Sequence, residues 1–171
     1  MGGNLAIYIS NKTPNILNKI VIVDVVPKKY KNMHQDILSG LKSIDFNLIG
    51  SRREADDKLS SYISDERVRH FLLKNLYWKS EHKLGFRFNL DVLYGYSKNS
   101  ITNKFENPIS FKGPALFLHG KSSNYVNEQD YELINYHYSN ASIIKVPNSG
   151  HWLHTDNPDF FLEKTINFLN S

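Results

Sequence analysis

The chain of 171 residues is 40% hydrophobic and 22% charged, long enough and apolar enough to bury one real core. It has no cysteine, which excludes disulfides, thiolate metal sites and a cysteine nucleophile. Its net charge of +4 comes from Lys and Arg spread along the chain, so no nucleic-acid module is present, and no apolar run of the ~18 residues a membrane span needs occurs.

Met1-Gly2-Gly3 is a small-residue turn that runs into an apolar segment, and Gly3 to Ser10 is predicted as a buried helix because Leu5, Ala6, Ile7 and Ile9 are too apolar for a surface one. Thr13-Pro14-Asn15 breaks it. Ile20-Val21-Ile22-Val23 is a β-branched run without alternation, the pattern of a parallel strand buried on both faces; it ends in Asp24, and Pro27 stops it. Lys28-Lys29-Tyr30-Lys31 is the one dense basic run and reads as a solvated loop.

From Asn32 to about Tyr94 the texture becomes that of polar, amphipathic helices. Ser51-Arg52-Arg53-Glu54 fits a capping box with Ser51 as N-cap. Ser64 is predicted to cap the next helix, which would carry Val68, Phe71, Leu72, Asn75 and Leu76 on one face. Gly85 to Phe88 reads as extended, a helix follows near Asp91, and an Asn- and Ser-rich loop runs through Asn107.

Strand texture returns at Pro114 to Leu118 and at Ser142 to Val146, with a helix predicted from Glu128 to Tyr138 between them. Asn148-Ser149-Gly150-His151 is a turn. Asp156 or Asn157 caps a last helix, with Pro158 in its first turn and Phe161, Leu162, Thr165, Ile166 and Leu169 as its apolar face. Strands alternating with helices imply an α/β fold with a parallel sheet, and three strands are few for one.

Asp24 and His151 each follow a strand and so share the carboxyl edge of such a sheet, where catalytic groups collect. Taken alone, Asp24 serves equally well as a turn cap before Pro27, and a single loop histidine is most often structural. Together they fit a pair in which a carboxylate orients an imidazole. Gly120-Lys121-Ser122 imitates the end of a phosphate loop, but the glycine required five residues earlier is Ala115. His151, His154 and Asp156 have no recognised metal-ligand spacing, and no cofactor is expected.

Four stretches carry a resemblance: Val21-Ile22-Val23-Asp24-Val25-Val26-Pro27, Ser51-Arg52-Arg53-Glu54-Ala55-Asp56, Val68 to Leu76, and Gly150-His151-Trp152-Leu153-His154. On these the chain resembles the C-terminal two-thirds of small α/β-hydrolase esterases, of the bacterial acyl-esterase type related to mitochondrial abhydrolase-domain proteins. The resemblance implies a partial α/β-hydrolase fold: a hydrolase core at 1–30, a helical lid at 31–107, and the C-terminal part of the core with the histidine loop at 108–171. It makes His151 the general base and Asp24 its acid partner, because Asn124 in the loop after the next strand cannot supply a carboxylate.

The family's nucleophile elbow would align its last three residues with Met1-Gly2-Gly3, placing the serine just before Met1 and one oxyanion donor at the Met1 backbone N–H. The resemblance therefore implies an acyl esterase or thioesterase, acting on a small acyl ester or thioester, as an N-terminally truncated chain that lacks its nucleophilic serine and is inactive alone. A complementing N-terminal fragment would be its partner. The competing reading is a non-catalytic acyl-binding or scaffold protein with a groove around Phe71 and Leu76. The compartment implied is the cytoplasm, or the mitochondrion for a longer eukaryotic precursor.

Overall fold

The computed structural model describes residues 2–30, 34–81, 83–98 and 107–171. It divides into two compact units, Met1–Lys28 with Asn103–Ser171, and Lys29–Thr102.

In the first unit, helix α1 (Gly2–Lys12) leads through a short 3-10 turn at Pro14–Ile16 to strand β1 (Ile20–Val23). Ile7 and Ser10 of α1 are buried, but Leu5 and Tyr8 are exposed, so this helix is amphipathic rather than buried all round. Ile20 and Ile22 of β1 are buried while Val21 and Val23 are only half-buried, a further departure from the expected strand closed on both faces.

The second unit builds its own core. Helices α2 (Gln35–Lys42), α3 (Arg52–Ser60) and α4 (Glu66–Leu73) precede the antiparallel hairpin β2 (Leu76–Ser80) and β3 (Lys83–Phe86), and α5 (Leu90–Lys98) follows. Leu41, Ile44, Ala55, Leu59, Leu73 and Phe86 are among the side chains closed into one cluster, with Phe46 edge-on to Phe86 at 5.2 Å. Arg69 Nε donates to Asp56 Oδ1 at 2.8 Å and ties α4 to α3.

Local details here differ from the sequence expectations. Ser51 Oγ caps α3 by accepting from the Glu54 N–H at 3.2 Å, but the Glu54 carboxylate reaches one residue further back, to the Gly50 N–H. The cap of α4 is Asp65, not Ser64: its carboxylate accepts from the Arg67 N–H at 2.8 Å, and an ionised acceptor complements the helix N-terminus better than a hydroxyl. The predicted apolar face breaks at Leu73, where α4 ends, and Leu76 belongs to β2. Leu76 is buried in the cluster and Phe71 is exposed, so the two do not line a common groove.

Back in the first unit come β4 (Ala115–Gly120), a capped 3-10 turn at Glu128–Asp130, α6 (Tyr131–His137), β5 (Ala141–Val146), the short α7 (Leu153–Asp156) and α8 (Pro158–Asn170). The sheet is parallel in the order β1-β4-β5, with Val23 opposite Leu118 and Gly120 opposite Val146. All six residues of the middle strand β4 are buried, as a strand covered on both faces requires. One face packs Leu116, Leu118, Val146 and Leu153 against Phe160, Phe161 and Phe168 of α8. Of the stripe predicted for α8, Phe161 packs there, but Leu162, Ile166 and Leu169 are exposed and Phe160 and Phe168 take their place. Lys19 closes the far end of α8 by donating to the Phe168 and Ser171 carbonyls at 2.9 and 2.6 Å, a cation at a helix C-terminus.

The basic run is not simply solvated. Lys28 Nζ meets Asp130 Oδ2 at 2.6 Å in a half-buried ion pair. Lys31, and residues 99–106 of the Asn- and Ser-rich stretch, lie outside the described residues. Among the described residues no helix is long and apolar enough to cross a membrane.

Candidate active site

The parallel sheet brings the ends of β1, β4 and β5 to one edge, and three loops meet there. Asp24 follows β1 with φ 51°, a left-handed conformation that an aspartate tolerates at modest cost and that is found where function over-determines the backbone. Its N–H still pairs with the Leu118 carbonyl at 2.7 Å, so the turn begins within the sheet ladder. The side chain has no solvent exposure.

A buried carboxylate must be satisfied by the protein. Oδ1 accepts from the Gly120 N–H at 3.3 Å, and Oδ2 accepts from Ser123 Oγ at 2.5 Å and lies 2.7 Å from His151 Nδ1. The acid is therefore held by the end of β4, by the loop after it and by the histidine turn.

The histidine turn is fixed from several sides. Asn148 adopts φ 54°, Ser149 Oγ donates to the Val146 carbonyl at 2.9 Å, and the Gly150 N–H donates to Asp156 Oδ2 at 2.9 Å. Asp156 thus pins the turn instead of capping α8, whose N-cap residue is Asn157. The Ser122 N–H donates to the Ser149 carbonyl at 2.9 Å and ties the turn to the loop after β4. Gly120 permits this approach: a Cβ there would stand 2.1 Å from the Gly150 carbonyl oxygen.

His151 presents Nδ1 to Asp24 and keeps 47% of its side chain exposed, with Nε2 on the opposite edge of the ring. A neutral imidazole held this way carries its proton on Nδ1, and Nε2 is then the nitrogen that can accept one from a hydroxyl. The Tyr125 ring lies over the imidazole with centroids 4.0 Å apart and planes 18° apart. Burial, and then the nearby Asp24 charge, push the Tyr125 phenol above its ordinary ionisation range, so it is neutral beside the pair.

Of the residues singled out from sequence, Asp24 and His151 meet directly. His154 points elsewhere, edge-on to Phe161 at 6.2 Å, and Asn124 is exposed. Met1, the expected oxyanion position, lies outside the described residues. Among the described residues no three His, Asp or Glu side chains cluster as metal ligands do. Sequence reasoning missed Ser123 and Tyr125, offered Asp156 only as a helix cap, and dismissed Gly120 along with a false phosphate loop. Sequence held no signal for Ser123 and Tyr125, since their loop passes the Asp24 side chain only because β4 pairs with β1.

No family model matches the chain. Over 99% of its length it is 33% identical to the sn-1-specific diacylglycerol lipase ABHD11 of Danio rerio and 31% identical to a putative esterase/lipase of Haemophilus influenzae, covering 55% and 58% of those proteins. It is 26% identical to the esterase YbfF of Escherichia coli, of which it covers 65%. The chain thus spans little more than half the length of the first two relatives. Among solved structures, a marine microorganism esterase superposes with a TM-score of 0.88 at 32% identity, over 97% of this chain and 66% of that one. The deep-sea α/β hydrolase MGS-M2, at 17% identity and a TM-score of 0.67, shares the fold. With this parallel sheet and relatives matched from end to end of its own sequence, the chain has the α/β-hydrolase fold and is related to esterases of that fold.

Proposed function

We propose that Asp24 and His151 are the acid and general base of a serine-type ester or thioester hydrolase. The observation that carries this is the 2.7 Å contact between His151 Nδ1 and the buried Asp24 carboxylate, with the far edge of a half-exposed imidazole left for a hydroxyl. In such a reaction Nε2 takes the proton of the attacking hydroxyl, and the Asp24 charge stabilises the imidazolium that forms. His151 then returns the proton to the leaving alcohol or thiol.

The hydroxyl is assigned to a serine immediately before the segment that starts α1, with the Met1 N–H as one oxyanion donor, so the 171-residue chain by itself does not turn esters over. In support, α1 starts against the acid's own segment: a Cβ on Gly3 would stand 2.3 Å from Val25 Cγ1, one residue past Asp24. An N-terminal complementing fragment fits the exposed Leu5, Tyr8, Leu162 and Ile166, and it fits β1, whose hydrogen-bonded neighbour in the described sheet is β4 alone.

Residues 31–107 are assigned as the helical lid of such an esterase, in support of which the second unit has its own core. The substrates proposed are small acyl esters or thioesters, and the compartment the cytoplasm. The test is hydrolysis of a short-chain chromogenic ester by this chain alone and with a separately produced front segment from an esterase relative. Background turnover alone and His151-dependent turnover in the mixture are expected; His151-dependent turnover by the chain alone would contradict the assignment of the hydroxyl.

A further inference from the structure

One short loop grips both members of the pair. Ser123 Oγ donates to Asp24 at 2.5 Å, the Tyr125 N–H donates to that same Ser123 Oγ at 3.1 Å, and the Tyr125 ring covers the His151 ring at 4.0 Å. The loop is joined to the histidine turn by the Ser122 N–H, so the Tyr125 ring and the imidazole are carried on backbone segments that are themselves bonded together.

We propose that Tyr125 is a positioning residue for the base: by covering one face of the imidazole it keeps His151 in the orientation in which Nδ1 meets Asp24. This rests on the reading of Asp24 and His151 as the acid–base pair. A single hydrogen bond through Nδ1 fixes one ring atom and leaves the imidazole able to swing about that contact. His151 sits in a turn and is 47% exposed, so packing around its edges does little to stop that motion. A near-parallel aromatic face resists tilting about the side-chain torsions, because a tilt lifts one edge of the ring off its partner. The same face attracts the imidazolium when the base is protonated, so the contact survives the step in which the proton is held. Because its ionisation is shifted upward, Tyr125 keeps a neutral phenol throughout.

The test is imidazole NMR on the 171-residue chain, with the exposed His70 and an unfolded histidine peptide as references. In the unsubstituted chain the His151 ring protons should lie upfield of those references, shifted by the Tyr125 ring current, and His151 should populate a single Nδ1–H tautomer. Tyr125→Phe should keep both signatures. Tyr125→Leu and Tyr125→Met should lose both, with far-ultraviolet circular dichroism unchanged. His151 ring protons within the reference range in the unsubstituted chain would overturn the proposal. So would an intact single tautomer in either folded aliphatic variant, or its loss in Tyr125→Phe. Asp24→Asn separates the stack from the pair beneath it: it should abolish the single tautomer while keeping the upfield shift. If Asp24→Asn leaves the tautomer unchanged, the acid–base pair itself is wrong, and the role given to Tyr125 falls with it.

Discussion

His151 Nδ1 meets Asp24 Oδ2 at 2.7 Å although 127 residues separate them in the chain. The parallel pairing of β1 with β4 and of β4 with β5 makes this contact, because it delivers the loops after all three strands to one edge. The carboxylate is closed off from water and the imidazole is half open to it, the asymmetry a fixed acid and a working base require.

Removing the carboxylate should therefore damage stability as well as chemistry. Asp24→Ala leaves the Gly120 N–H, Ser123 and His151 without their acceptor, and unfolding by urea should show a loss of about 1–3 kcal/mol. In an esterase completed with its serine, Asp24→Asn should lower kcat roughly 10⁴-fold, the scale of a lost orienting carboxylate in a serine triad, with a smaller effect on KM. Equal losses in kcat for Asp24→Asn and for a conservative change at exposed Asn124 would remove the special place given to Asp24.

Gly120 is a stability hinge for the histidine turn. Since an added Cβ would press into backbone at Gly150, with no flexible side chain to yield, Gly120→Ala should cost about 1–3 kcal/mol. Gly3→Ala meets the side chain of Val25 instead, which can turn aside, and should cost less. Thermal denaturation of the two variants side by side measures the order, and the reverse order would contradict the contacts.

Two buried histidines make stability depend on pH. His119 is held by Tyr131 Oη at 2.7 Å, and burial lowers its ionisation below the ordinary 6.5; burial lowers that of His137 as well. The unfolded chain therefore takes up protons at these positions before the folded one does. Stability is fully present above about pH 6.5 and is lost as pH falls below it toward the folded-state values. The Tm should decline between neutral pH and about pH 5, and His119→Gln should flatten that decline. A Tm that rises on acidification across this window would contradict the sign.

How much of this was legible in the sequence follows from which forces set each feature. The β-branched run at Ile20 to Val23 and the apolar run at Ala115 to Leu118 announce buried strands by composition alone, and both are strands. Asp24 and His151 were legible because a strand end is a place that pattern reveals. Ser123 and Tyr125 were not, because their roles depend on which neighbouring strand their loop leaves, a fact of sheet order rather than of local spacing. The stripe on α8 misled for a similar reason: periodicity marks Leu162, Ile166 and Leu169 as apolar, but Phe160 and Phe168 face the core. At Leu73 the helical period runs on into Leu76 although the hairpin has begun, since a buried strand residue and a helix-face residue look alike in a short window.

The proposed role of Asp24 and His151 is to serve a hydroxyl located just ahead of α1. It is tested most directly by joining this chain in frame to the front segment of an esterase relative that ends in Gly-x-Ser, and assaying a short-chain chromogenic ester. Hydrolysis is expected from the joined protein, with loss in the His151→Ala and Asp24→Asn forms and only background from the 171-residue chain alone. Undiminished hydrolysis by the joined His151→Ala protein would contradict that role.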